Sequence, residues 1–160
     1  MTDPVAGVVL IAATIAAGLM AGVFGLYANT IMRGLGRTDD RTFVGAFQAI
    51  DRAIINPLFL STFFGALILS GVAVVLHLGD DGLVLIVVAF ALYLVGLVIT
   101  LAVNVPLNDA IKAAGDPDAI DDLVGVRRRF DEARWIRWNL VRVLVVTASF
   151  ACLACALALR

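Results

Sequence analysis

Charge is scarce in this chain, and acidic charge is missing where the chain is most apolar. Of 160 residues, 62% are hydrophobic and 16% charged, against about a quarter charged in an ordinary soluble domain. The mean hydropathy is +1.02. So much apolar surface has no place in water, which excludes a soluble globular class. Histidine is nearly absent: His77 alone rules out a His-rich metal site within one chain. Cysteine is limited to Cys152 and Cys155. A CxxC redox pair normally opens a helix beside a polar surface, whereas thiols midway along an apolar helix serve packing. Also missing are HExxH, a carboxylate–histidine iron cluster, a glycine-rich dinucleotide loop and a nucleophile elbow. The chain is thus expected to bind no metal or cofactor of its own. The net charge of −1 mixes both signs and gives nucleic-acid binding no support.

What is present is length without charge. Four apolar runs, about 5–32, 54–78, 83–105 and 140–159, each reach the ~20 residues that cross a hydrocarbon core as a helix. No strand alternation suggests a barrel, and a backbone in lipid must satisfy its own hydrogen bonds. The expected fold is all-α: one integral membrane domain over 1–160, a four-helix transmembrane bundle with amphipathic helices in two cytoplasmic loops. The opening Met1-Thr2-Asp3-Pro4 lacks a basic n-region and the first run is too long for a signal h-region, so this segment is expected to stay as a helix.

Arginine sets the expected orientation. The loops after the first and third spans hold ten of the twelve Lys and Arg residues, from Arg33 to Arg52 and from Lys112 to Arg137, while the opposite side has Arg160 with Asp3, Asp80 and Asp81. The positive-inside rule places both long loops in the cytoplasm and both termini outside an inner or plasma membrane. In the first loop, Thr38, Asp39 or Asp40 can cap a helix whose Phe43, Phe47 and Ile50 share a face. Asn56-Pro57 reads as a cap and first turn. Leu78-Gly79-Asp80-Asp81-Gly82 reads as a tight turn, with Asp81 a cap and His77 a surface residue. Asn104-Val105-Pro106 ends the third span, because proline frees a carbonyl four residues back. Gly18, Gly22 and Gly25 allow close helix approach, within the chain or in a homodimer.

The strongly polar residues inside these runs are expensive in lipid and need partners or a task. Asn104 and Asn108 lie one turn apart; Trp135, Asn139 and Arg142 share a stripe. Asn29 and Asn56 stand at the same depth, Trp138 borders it, and Gln48 and Asp51 can reach it from the loop helix. One use is a pocket near the cytoplasmic leaflet for an apolar, ring-containing small molecule. Arg142, Asn139 and Asn108 would stabilise charge there, and Asn29, Asn56, Asn104, Trp135 and Trp138 would bind the ligand. The other use is structural: asparagines tying helices together, Arg142 snorkelling to water, tryptophans anchoring the interface.

Three stretches carry a family likeness: MRGLGRTDDRTFVGAFQAIDRAIINP (Met32 to Pro57), VNVPLND (Val103 to Asp109) and WIRWNLVR (Trp135 to Arg142). With the four-span layout, they resemble the DUF1772, or anthrone oxygenase-like, family over nearly the whole chain. The resemblance implies a monooxygenase with no evident cofactor, oxidising anthrones or related flat aromatic or quinone-like molecules. Asn104, Pro106, Asn108, Trp135, Asn139 and Arg142 carry the match. A base would have to come from Asp51, Asp109 or Asp131, since no span holds an acid. The alternative is a non-catalytic membrane subunit that binds lipid or a protein partner through the same groove, alone, as a homo-oligomer or in a larger membrane complex. A transporter has less support, since no intramembrane acid offers ion coupling.

Overall fold

Hydrophobic length dictates the frame. The computed structural model describes residues 4–159; Asp3 and Arg160, whose charges entered the expected orientation, lie outside the described residues. Four helical rods are long and apolar enough to cross a membrane: Pro4–Leu35, Pro57–Leu76, Leu83–Lys112 and Leu123–Ala158, each with an 18-residue window whose mean hydropathy is 2.3 to 2.9. The first rod joins α1 (Pro4–Leu26), a π-helical turn (Tyr27–Ile31) and α2 (Met32–Leu35). After α3 (Asp40–Ile54) in the first long loop comes the second rod, α4 (Pro57–Leu76). The third joins α5 (Leu83–Ile99), a π-helical turn (Thr100–Asn104) and α6 (Val105–Lys112), and the fourth joins α7 (Leu123–Phe130) and α8 (Glu132–Ala158). Among the described residues there is no strand. The all-α four-helix bundle is the observed fold.

Which residues are buried follows from the solvent. The inward stripes are small: Ala13, Ala17, Ala66, Ser70, Ala73, Ala89, Ser149 and Ala156 are buried, while Val8, Ile68, Val84 and Leu144 point outward. Lipid tails give no hydrophobic reason to bury leucine, so close backbone approach and interhelical hydrogen bonds hold such bundles. Ser149 Oγ donates to Ala89 O at 2.7 Å and Tyr93 Oη to Phe63 O at 2.9 Å, tying α8 to α5 and α5 to α4. Of the expected glycine contacts, Gly18 meets the Phe150 ring, while Gly22 and Gly25 face open space.

Gly96 marks a close approach of α5 to α8. A Cβ there would stand 2.9 Å from Val146 Cγ2, and a β-branched side chain in a helix has one preferred rotamer and cannot swing aside. Gly96→Ala is expected to destabilise the bundle by ~1–3 kcal/mol, read as a lower unfolding temperature in detergent. Gly18→Ala should cost less, because the Phe150 ring it meets is 37% exposed and free to turn outward.

Several boundaries differ from those expected, each for a local reason. The third rod does not stop at 105. The π-helical turn lets the Val105 N–H reach back to Thr100 O, which widens the helix just before Pro106 and carries it to Lys112. The fourth rod starts well before 140; Asp131, with φ 53, ends α7 in the left-handed region and its side chain accepts from the Arg134 N–H to start α8. Aspartate tolerates that conformation better than most residues. Asp81 caps nothing: Gly82 occupies the cap position of α5 without a side-chain bond. His77 is buried, not a surface residue. Its ring folds back on the end of α4, with Nδ1 2.8 Å from Ala73 O, a carbonyl that also accepts the His77 N–H at 3.1 Å.

Both expected loop helices form. Asp39 caps α3 by accepting from the Thr42 N–H at 2.9 Å, a bond that holds its carboxyl below the usual range. The apolar face of α3 packs Phe43, Val44 and Phe47 against Ile111, Val126, Phe130 and Trp135. Arg127 fastens this cap: it lies over the Phe43 ring at 4.2 Å and donates to Thr38 O, Asp40 and Glu132. Gln48 does not reach the polar layer; its Nε2 donates to Ile111 O and Gly115 O, holding α3 to the end of α6. The apolar bundle core and this aromatic cap leave one polar layer between them.

Candidate functional site

That layer lies far along the rods. At 1.5 Å per residue, Thr100 stands ~26 Å from Leu83, and Arg142 stands ~24 Å from Ala158. Both therefore sit near the loop-side face of a hydrocarbon core ~30 Å thick. Each π-helical turn falls at this depth. Such turns insert a residue into a helix and recur at functional sites; here they turn Tyr27 and Asn104 towards the same space.

Arg142 is the central group. It is 5% exposed, with Nη2 donating to Asn139 Oδ1 at 2.7 Å and Nη1 to Thr100 Oγ1 at 3.1 Å. Its guanidinium lies over the Phe24 ring at 4.4 Å and near Trp135 at 5.6 Å. No carboxylate pairs with it among the described residues, and its Nε has no partner. Asn139 in turn donates to Phe24 O at 3.2 Å, where α8 crosses α1. Oriented dipoles and π faces, not an opposite charge, hold this cation, leaving it free to meet an anionic ligand group.

A second chain of bonds runs beside it. Trp135 Nε1 donates to Asn108 Oδ1 at 2.7 Å, and Asn108 Nδ2 donates to Asp51 Oδ1 at 2.7 Å. Lys112 Nζ closes on Asp51 Oδ2 at 2.8 Å and on Asp109 at 3.1 Å. Asn104 donates to Trp135 O at 3.3 Å, and its Oδ1 is buried without a partner. An unpaired buried acceptor costs ~1–3 kcal/mol, so this site also invites a hydrogen-bond donor.

These groups surround a cavity of about 90 Å³, whose walls include Phe24, Tyr27, Asp51, Thr100, Asn104, Asn108, Trp135 and Arg142. Val23, Ile54, Ile55 and Phe59 complete it. Val23, Ile54 and Phe59 also border a groove of about 300 Å³ between α1 and α4, which continues through Leu19, Met20, Leu58 and Thr62. Among the described residues no group of three His, Cys, Asp or Glu side chains is placed to hold a metal ion.

The structure thus gathers Arg142, Asn104, Asn108 and Trp135 around one cavity, with Asn139 directly behind Arg142. It does not bring three other expected binding residues there. Asn29 is exposed on the first rod. Asn56 caps α4, accepting from the Phe59 N–H and donating to Ala53 O, and edges only the groove. Trp138 is 37% exposed, at the margin of the α8 stripe. Of the three carboxylates considered as a base, Asp51 alone lines the cavity; Asp109 is exposed on α6, and Asp131 is occupied as a cap. Two polar lining residues were not anticipated. Thr100 precedes Asn104 by four residues, so the Asn104–Asn108 stripe extended backwards finds it. Tyr27 lies three residues past the buried Phe24 and packs its ring 5.7 Å from Trp135.

Fold and site define a four-span helical membrane protein with a buried, carboxylate-free arginine at the loop-side end of its bundle. A family model for anthrone oxygenase matches residues 43–152, well over half of the chain, and the chain belongs to that family. The match contains α3 from Phe43 onward, both asparagines of the third rod, and Trp135 to Arg142. No curated protein and no solved structure matches the chain.

Proposed function

We propose that the chain binds a flat aromatic ketone or quinone-like molecule in this cavity and oxidises it with dioxygen, without a metal or flavin. The observation that carries the proposal is Arg142, a buried guanidinium facing aromatic walls with no carboxylate of its own. Family membership supports the same chemistry.

The residues suggest the steps. Asp51, the carboxylate on the cavity wall, takes a proton from the ring carbon opposite the ketone. The electron pair moves onto the ketone oxygen, where the Arg142 guanidinium and nearby amide donors stabilise the enolate. The enolate carbon adds dioxygen, forming a C–O bond as dioxygen is reduced to peroxide, and a proton returns from Asp51 to the terminal oxygen. Loss of the remaining ring proton with cleavage of the O–O bond releases one water and leaves the quinone carbonyl. Ketone and dioxygen thus become quinone and water. Trp135, Asn108 and Lys112 hold Asp51 in place throughout.

By the bias of Lys and Arg, the loop end faces the cytoplasm and both termini lie outside. Purified protein given anthrone and oxygen should form anthraquinone several-fold faster than buffer or heat-inactivated protein, followed by ultraviolet absorbance. Rates equal to buffer would overturn the oxygenase reading. A second reading, a non-catalytic subunit that binds lipid or a protein partner, draws on the cavity's size: about 90 Å³ is below the ~300 Å³ of most small-molecule sites. It predicts no turnover and a tightly co-purifying lipid or subunit.

A further inference from the structure

The cavity's small size bears on what its ligand looks like and how it arrives. A site of about 90 Å³ is smaller than the ~150 Å³ dry cavity that takes a benzene, so alone it encloses no more than the oxygen-bearing edge of a ring. Cavity and groove together clear the ~300 Å³ lower bound of ordinary ligand sites. They share three partly buried residues, Val23, Ile54 and Phe59, so one ligand can occupy both.

The loop side is largely covered. There α3 lies across the cavity, its Asp51 bonded to Asn108 and paired with Lys112, its Phe47 edge-on to Trp135 at 6.0 Å. The open side faces the bilayer between α1 and α4. Its outer lip is Leu19 and Leu58, 58% and 77% exposed, in a part of the chain where exposure means lipid. Its lining is apolar apart from Thr62, whose hydroxyl is spent on Leu58 O, and Asn56, whose side chain is spent as a cap. A polar molecule gains nothing along this path. An alkyl chain gains ~0.8 kcal/mol for each methylene removed from water, though less when it comes from lipid.

We propose that the α1–α4 groove is the lateral portal of the site and the seat of an alkyl substituent on its ligand. The ligand is an amphiphile: a ring whose oxygen meets Arg142, and a chain that leaves past Phe59 into the groove. Phe59 stacks on Phe63 with centroids 5.7 Å apart and stands between the two compartments, where its ring separates cavity from groove until the chain passes. This inference rests on the oxyanion-binding reading above and adds the ligand's tail and its route.

The test uses phenol and 4-dodecylphenol, with the full chain in phosphatidylcholine nanodiscs. A Trp138→Phe background leaves Trp135 as the reporter of cavity occupancy. Both probes should change its fluorescence. Thr62→Phe or Leu19→Phe should weaken the tailed probe about tenfold, equivalent to ~1.4 kcal/mol, and phenol less than about twofold. Val88→Phe, on the outer face of α5, should alter neither. A diazirine at the end of the dodecyl chain should label the groove-lining segments of α1 and α4. Equal responses of both probes to the groove variants, or label spread over α5 and α8, would overturn the groove assignment while leaving the cavity reading intact. Failure of phenol itself to perturb Trp135 would overturn the cavity reading, and the groove inference with it.

Discussion

Arg142→Met is expected to abolish most anthrone oxidation while leaving the bundle folded. The two effects separate because they have different origins. Catalysis is assigned to charge that develops on the ketone oxygen, and removing one preorganised donor from such a site costs ~10²–10³ in kcat. Stability depends on a balance. The substitution leaves Asn139 Oδ1 without the donor now at 2.7 Å, a penalty of ~1–3 kcal/mol for a buried group left unpaired, while Thr100, which loses a donor at 3.1 Å, keeps its own bond to Gly96 O at 2.8 Å. It also removes a cation held in a dry site, and apolar residues of similar volume often replace buried ions at little cost or with a gain. Methionine keeps the contacts with Phe24 and Trp135. Arg142→Lys retains the charge but not the planar fork that bridges Asn139 and Thr100, so its rate should fall between the two. Activity would be followed as anthraquinone formation, and stability as the unfolding temperature in the same detergent. If Arg142 only ties α8 to its neighbours, the methionine variant would unfold early and its folded fraction would turn over normally; that pattern would end the catalytic assignment.

How far the sequence led depends on the physical scale of each signal. The four rods are legible because a hydrocarbon core imposes an apolar requirement over ~20 positions, and none of the runs holds an acidic residue. The loop helix α3 is legible for the same kind of reason: a cap at Asp39 followed by Phe43 and Phe47 on one face. The site is only half legible. Depth along a rod can be read by counting, which is why Arg142, Asn104 and Asn108 were expected together. Facing cannot be read without the register. Asn29 sits at the right depth, but it is exposed and does not line the cavity. The buried stripe Ala17, Met20, Phe24 already pointed to Tyr27. The π-helical turns were not legible at all. Pro106 signals a freed carbonyl, and either a helix end or a widened turn relieves it. Which one occurs depends on packing against α8, where Asn104 finds Trp135 O, and that contact lies 31 residues away in the chain.

Asp51→Asn should be nearly as damaging to turnover, and it tests the weakest link of the proposed chemistry, the base. Asparagine keeps an acceptor for Asn108 Nδ2, now 2.7 Å from Asp51 Oδ1, and Lys112 retains Asp109 at 3.1 Å. The fold should therefore survive. What is lost is a group able to take a proton, and general-base catalysis typically contributes 10²–10⁴-fold. Two readouts separate that role from a positioning one. With substrate deuterated at the ring carbon that loses its proton, the wild type should turn over more slowly than with ordinary substrate, since C–H cleavage starts the sequence. In Asp51→Ala, the vacated space should admit formate, and added formate should restore part of the rate; acetate, which is larger, should restore less. A residue that merely seats α3 over the cavity would leave the isotope effect in Asp51→Asn the same as in the wild type and give no rescue, and its loss would lower affinity as well as rate. Full activity in Asp51→Asn would dismiss the carboxylate altogether.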